Sequence, residues 1–346
     1  MLVSFSCVTE VTRELLVKYG VSERSAEILA ESVLYAGRCG IATHGIRHLP
    51  MYINKIKSGH LNPKDEVELV TDNGAVAVLD ANRCLGQVAA RQAIDLAVEK
   101  AKEYGIAAVG IRNGNTFGAA GYYAYLAAQQ GLASVIFANS APAIAPTGGK
   151  KTIFGTNPIC FGFPGGEENA PIVLDMATTV VARSKVRMAA KNGDKIPTDW
   201  AIGPDGQPTE DPNEALKGSL LPIGGYKGYG LSLFIDLFAG LLTGAAFAGG
   251  VKPLSDMESD SNCGQLFIVF DTKRFLDQDE LDHKSEIFRS AVKACGDEGA
   301  VMLPGEPQFK RMAEQKDAVF IADEEALTIN RLAEQSGISA RLEQIQ

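Results

Sequence analysis

The sequence predicts an α/β (α+β) fold: a central mixed α/β layer with helices, plus a helical domain built from both chain ends. Three observations predict it. Residues 5–57 carry apolar side chains at helical spacing, and the same period returns near the C-terminus. From about residue 66 the pattern switches to short apolar runs alternating with amphipathic stretches, the signature of strands packed on helices. No GxGxxG or GxxxxGK[ST] occurs, so neither common nucleotide-binding turn is present. The expected division is residues 1–75 with 305–346 as the helical domain, and 76–304 as the central α/β domain that would hold a cofactor.

Taken in order, "VTEVTRELLVKYGV" reads as a helix ending at Gly20. "SERSAEILAESVLYAGRCG" is a second helix, opened by a Ser22–Ser25 capping box and closed at Gly40. Pro50 suits the first turn of a third helix through Lys57, and Gly59 its stop. "EVELVTDNGAVAVLDANR" alternates like a hairpin, with Asp72-Asn73-Gly74 as the turn. "GQVAARQAIDLAVEKAKEYG" is an amphipathic helix, "IAAVGIRN" a buried strand, "AAGYYAYLAAQQG" a helix and "LASVIFANS" a strand. "PIVLDMAT" and "CGQLFIVFD" are further strands, and "DWAIGPDGQPTEDPNEALKGS" is a turn-rich surface segment. "LDQDELDHKSEIFRSAVKACG" and "DEEALTINRLAEQSG" return to helix.

Composition narrows the function classes. The 346 residues are 46% hydrophobic and 22% charged, which suits a globular chain with a sizeable core. A net charge of -9 argues against nucleic acid as the main partner, because phosphate binding needs a basic surface. The six cysteines are scattered with no CxxC pair, so free thiols in a reducing cytosol are expected. The N-terminus lacks a basic start and a clean apolar run, so no signal peptide is expected. "GYGLSLFIDLFAGLLTGAAFAGG", from Gly228, is apolar enough to resemble a membrane span. Asp236 inside it and its many glycines point instead to a buried helix or one at a subunit interface.

The chemistry concentrates in "GIATHGIRHLPMYINKIKSGHLNP", residues 40–63, which holds three of the four histidines. His44 and His48 stand four apart, Arg47 lies between them, and Tyr52 follows. No HExxH glutamate and no His/Cys cluster accompanies them, so no metal is expected. Imidazole suits proton exchange near neutral pH, and Arg47 or a protonated His48 could hold a carboxylate. If the stretch is helical throughout, His44, His48 and Tyr52 share a face; if Pro50 opens the helix, only proximity remains. Three glycine-rich segments, 145–158, 221–232 and 303–307, offer backbone N–H groups with a lysine or a helix start. Asp175, in "VLDMATT", sits at the C-terminal end of a strand, where α/β sites collect.

"THGIRHLPMYINKI", "RNGNTFGAAGYYA", "IFGTNPICFGFP", "IVLDMATTVVARSKV" and "LLPIGGYKGYGLSLFIDLFAGLLTGAAF" resemble the type-2 malate/L-lactate dehydrogenase family, in the same order over about residues 5–335. The resemblance implies a non-Rossmann NAD(P)-dependent oxidoreductase of 2-oxoacids and 2-hydroxyacids, L-malate and oxaloacetate first. Lactate, sulfolactate and ureidoglycolate are the alternatives, and a paralogue that only binds nucleotide is the remaining reading. It implies a cytoplasmic homodimer with no nucleic-acid or membrane partner. By position it places NAD or NADP along Ser140, Gly155, Thr156, Asn157, Asp175, Met176, Ala177, Lys227, Gly305 and Glu306. His44 matches a catalytic histidine, with Thr43 where the family has serine, and Tyr52 matches a substrate-pocket tyrosine. Two departures stand out. His48 occupies the place of a carboxylate-binding arginine, with Arg47 one residue early. Thr116 occupies that of a second catalytic histidine, and threonine has no pKa suited to moving protons near neutrality.

Overall fold

A computed structural model describes residues 1–166 and 169–345. A short strand β1 (Leu2–Ser4) leads into α1 (Phe5–Lys18), whose first turn is capped by Ser4 Oγ accepting from the Cys7 amide at 3.2 Å. Ser22 caps α2 (Glu23–Arg38) the same way, accepting from Ser25 N as its Ser-x-x-Ser spacing predicts. Two single 3₁₀ turns, Ala42–His44 and Ile46–His48, then feed α3 (Leu49–Lys57), with Pro50 in its first turn and Gly59 at φ +81° past its end.

The sheet begins with β2 (Glu68–Asn73) and β3 (Val76–Asp80), so the hairpin spans the expected boundary at residue 75. Its turn is Gly74-Ala75 rather than Asp72-Asn73-Gly74: Asn73 pairs with Val76, and Gly74 takes φ +59°. Helix α4 (Gly86–Tyr104), ended by Gly105 at φ +88°, crosses over to β4 (Ile106–Gly114), which runs parallel to β3. Then come α5 (Ala120–Ala128), β5 (Leu132–Ala138), β6 (Ile159–Phe163) and β7 (Ile172–Met176). The segment 183–220 contains α6 (Arg183–Asn192), β8 (Ala201–Ile202), α7 (Pro212–Lys217) and β9 (Ser219–Leu220). It is more than a turn-rich surface stretch: Val181, Val186, Ile196, Ala201, Ala215 and Leu220 close a small second core.

Helix α8 (Tyr226–Ile235) widens into a π turn over Asp236–Leu241. Strand β10 (Cys263–Asp271) follows, then α9 (Gln278–Lys293), α10 (Glu306–Glu314), β11 (Ala318–Phe320) and α11 (Asp323–Gln335). The seven-stranded sheet has the order β2-β3-β4-β10-β5-β6-β7, and every neighbouring pair except β3–β4 is antiparallel. β10 lies at its centre, between α4 on one face and the π turn on the other. That position explains its near-continuous apolar run. The chain ends meet: β1 pairs with β11, and α10 and α11 pack on α2 and α3. One core runs from Leu15 and Leu29 through Ile94 to Phe267 and Ile329, joining the helical ends to the sheet.

The apolar stretch from Gly228 is only half buried. Ser232, Ile235, Asp236 and Ala239 face inward, whereas Phe234 (59%), Leu241 (51%) and Leu242 (62%) are exposed. Asp236 is accommodated because Asn139 Nδ2 donates to one oxygen at 3.0 Å and Ala248 N to the other at 2.7 Å. No helix is long and apolar enough to cross a membrane among the described residues.

Candidate active site

Three of the residues expected on the substrate side form a file of rings. His44 ends the first 3₁₀ turn and His48 the second, and Gly45, extended at ψ -164°, separates them. Their rings lie 6.2 Å apart at 18°, and the Tyr52 ring lies 6.4 Å beyond His48 at 42°. Pro50 does open the helix, yet the two tight turns keep the three rings in line. Burial with no acidic partner lowers the His44 pKa to about 4. Burial lowers His48 to about 4 as well, helped by His44 and Arg47. Both rings are therefore neutral at pH 7, each with one donor and one acceptor nitrogen. Among the described residues no group of three His, Cys, Asp or Glu gathers to hold a metal.

Arg47 leaves the file: its Nε lies 3.7 Å from Glu325 Oε1 on α11. Tyr52 is buried, its hydroxyl accepts from Gln87 Nε2 at 2.7 Å, and burial pushes its pKa up to about 12. Gln87 is the second residue of α4. The first, Gly86, is pressed against the loop that carries Thr116: a Cβ there would sit 2.3 Å from the Thr116 carbonyl oxygen. Asn115 Nδ2 donates to the Arg83 and Cys84 carbonyls at 2.9 Å and holds that loop in place. The 115–119 loop thus lies beside Gln87 near Gly118, and just past it, in the first turn of α5, Gly121 N donates to Asp175 Oδ2 at 2.8 Å. It joins the ring file to the expected cofactor wall.

Asp175 is the penultimate residue of β7, beside the N-terminus of α5. Its edge stays open to solvent, but dense surroundings still raise its pKa, against the opposing pull of the Gly121 amide. Oδ1 takes no protein hydrogen bond among the described residues, which leaves an acceptor for a hydroxyl or amide of a ligand. Met176 and Ala177 follow, half buried. Ser140 Oγ and Thr156 Oγ1 are 3.3 Å apart. Asn157 is wholly buried and its amide is used internally: Oδ1 accepts from Ser140 N at 3.1 Å, and Nδ2 donates to the Ser232 carbonyl at 2.8 Å. Gly155 is required by close approach, since a Cβ would lie 2.3 Å from the Ser140 carbonyl oxygen. Lys227 is exposed in the first turn of α8 and makes no ion pair among the described residues. Gly305 takes φ +84° against β7, and Glu306 is occupied by Lys293 Nζ at 2.8 Å and Leu303 N at 3.0 Å.

Of the residues expected on the cofactor side, Asp175, Ser140, Thr156 and Lys227 therefore keep polar groups that a ligand could use, whereas Asn157 and Glu306 hold the loops. A free carboxylate oxygen, two hydroxyls and an unpaired ammonium beside an uncapped helix start suit a dinucleotide. Sequence reasoning missed Gln87, Asn115 and Ser232. Nothing local marks them, because their partners lie 31–77 residues away.

The pattern described as malate/L-lactate dehydrogenase matches residues 3–329. A "Malate/(S)-sulfolactate dehydrogenase" of Methanothermus fervidus is 39% identical over 301 residues, 86% of this chain and 88% of its own. A "Ureidoglycolate dehydrogenase (NAD(+))" of Escherichia coli O157:H7 is 33% identical over 330 residues, 94% of this chain and 93% of its own. The solved structure of a sulfolactate dehydrogenase from Methanocaldococcus jannaschii superposes with a TM-score of 0.92 at 35% identity, covering 99% of this chain and 100% of that one. The chain belongs to the malate/L-lactate dehydrogenase family and is an NAD(P)-dependent dehydrogenase of 2-hydroxyacids.

Proposed function

We propose that the protein interconverts L-malate and oxaloacetate, with His44 exchanging the substrate's proton. The observation that carries this reading is a neutral, half-buried imidazole held in line with His48 and Tyr52. A neutral ring can take the hydroxyl proton as the alcohol is oxidised and return it on reduction. The nicotinamide, when bound, takes or supplies the hydride. Tyr52 orients the substrate, and Thr116 shapes the pocket without moving a proton. Asp175, with Met176 and Ala177, forms one wall for NAD or NADP; Ser140 and Thr156 form another, and Lys227 meets its phosphates. In this reading residues 1–75 and 305–346 carry the substrate side, and 76–304 the cofactor side.

A monoanionic substrate such as lactate is favoured by a specific observation. Arg47 leans on Glu325 and His48 is neutral, so this stretch offers no free cation for a carboxylate, a lack that weighs more against a dicarboxylate than a monocarboxylate. A panel of 2-oxoacids assayed with NADH and NADPH separates the two readings. Oxaloacetate turned over far better than pyruvate supports malate, and the reverse supports lactate. No turnover of any 2-oxoacid contradicts both.

A homodimer is supported by the apolar band on α8 and the π turn, which continues onto Phe161 and Phe163 of β6. Phe238→Glu is expected to shift a dimer to monomer in light scattering. Six free thiols fit a cytoplasmic location.

A further inference from the structure

We propose that Gln87 is a positioning residue: its amide donates to the Tyr52 hydroxyl and so leaves that hydroxyl's own proton to be donated toward the histidine file and the substrate. The inference rests on the dehydrogenase reading given above. A phenol carries one hydrogen and two lone pairs. An amide N–H can only donate, so the 2.7 Å contact from Gln87 Nε2 uses a lone pair of Tyr52 and spares the hydrogen. No other protein group bonds the Tyr52 hydroxyl among the described residues, and the neighbouring ring along the file is His48.

The cost of this arrangement is visible. Gln87 is 2% exposed, and its Oε1 is buried with no partner. A buried unpartnered carbonyl is unfavourable, and here it persists beside a substrate-side residue. The backbone that carries Gln87 is held, because the preceding Gly86 is pressed on the Thr116 loop. An amide turned the other way would accept the Tyr52 proton and leave none for a substrate.

Tyr52 is the titratable group that bonds Gln87 directly, and Tyr52 in turn has His48 and Tyr123 of α5 beside it. Arg91, one turn along α4, is engaged by Glu31 and Asp95. A carboxyl introduced by Gln87→Glu therefore titrates without a neighbouring free cation. Protonated, it can donate to Tyr52 as glutamine does; ionised, it can only accept, and it draws the Tyr52 proton away from the site.

The test is a double-mutant cycle of Gln87→Glu and Tyr52→Phe, read as kcat/KM for the best 2-oxoacid against pH, with Gln87→Met as an uncharged control. Gln87→Glu should lose about 10- to 100-fold at pH 8, the size of one hydrogen bond to a charged group. It should recover toward wild type as pH falls through the titration of the new carboxyl. In the Tyr52→Phe background it should add less than about twofold. A substrate-free readout accompanies the cycle: the ¹³Cζ shift of Tyr52, assigned by Tyr52→Phe, should move between Gln87→Glu at high pH and wild type. If wild type turns over no 2-oxoacid, the dehydrogenase reading falls, and the ¹³C shift alone still decides this proposal. A Gln87→Glu profile parallel to wild type, an equal loss in the Tyr52→Phe background, or an unmoved ¹³C shift overturns it. Should Gln87→Met fail to fold, the pH recovery of Gln87→Glu still separates positioning from a structural role.

Discussion

The 40–59 turn and the loops around Asp175, the proposed substrate and cofactor sides, are built by different means. The first puts three side chains, His44, His48 and Tyr52, into a file using nine consecutive residues, and their spacing in sequence becomes their spacing in space. The second is assembled from segments at 139–140, 155–157, 175–178, 224–227 and 303–306, and much of its polar chemistry only ties those segments together. A site made from one segment exposes its chemistry in the sequence. A site made from five hides it, because ligand-facing and loop-holding residues look alike until the chain is folded.

The sharpest way to break this contrast is at the file itself. His44→Ala should lower kcat by about 10²–10⁴-fold, the range for removing a positioned acid–base group, with little change in melting temperature. Full turnover by that variant would reduce the file to packing.

On the other side, Asn157→Ala should behave in the opposite way. It strands the Ser140 amide and the Ser232 carbonyl, and should cost about 2–3 kcal/mol in denaturant unfolding. Cofactor affinity measured by calorimetry well below the melting temperature should change little. Lost affinity with unchanged stability would make Asn157 a direct ligand contact.

Acid stability gives a smaller, graded test. The folded pKa of His44 and of His48 lies near 4, below the usual 6.5, so the unfolded chain binds those protons first. Stability is whole above pH 6.5, falls as pH drops from 6.5, and levels off below about 4. The His44→Gln/His48→Gln double variant should flatten that part of the melting-temperature profile. The smallest effect is expected at Arg47. Its 3.7 Å contact with Glu325 is half exposed, so Arg47→Ala should change stability by less than about 1 kcal/mol. KM for the 2-oxoacid should stay within about twofold, since Arg47 points away from the file.

Helix ends were the most legible part of the fold. Ser22, Pro50, Gly59 and Gly105 act where local chemistry says they should, because capping depends on neighbours a few residues away. The sheet's long runs were equally plain, but not its order: nothing in "CGQLFIVFD" says that β10 inserts between β4 and β5. Strand β6 was not read as a strand, since it follows directly on the 145–158 glycine segment, and the β1–β11 pair joins residues more than 300 apart. Within the site, the His44–His48–Tyr52 proximity could be read from spacing. The diversion of Arg47 could not, since Glu325 lies at the far end of the chain, nor could the use of Asn157 and Glu306 as loop ties.

The role of His44 is read most directly from kcat/KM for oxidation of the best 2-hydroxyacid against pH, with stopped-flow pH jumps so that acid unfolding does not intrude. An acid limb is expected with its midpoint near 4, the lowered pKa of the half-buried His44, and it should be missing from the residual activity of His44→Ala. A midpoint near 6.5, or a limb unchanged in His44→Ala, would contradict it.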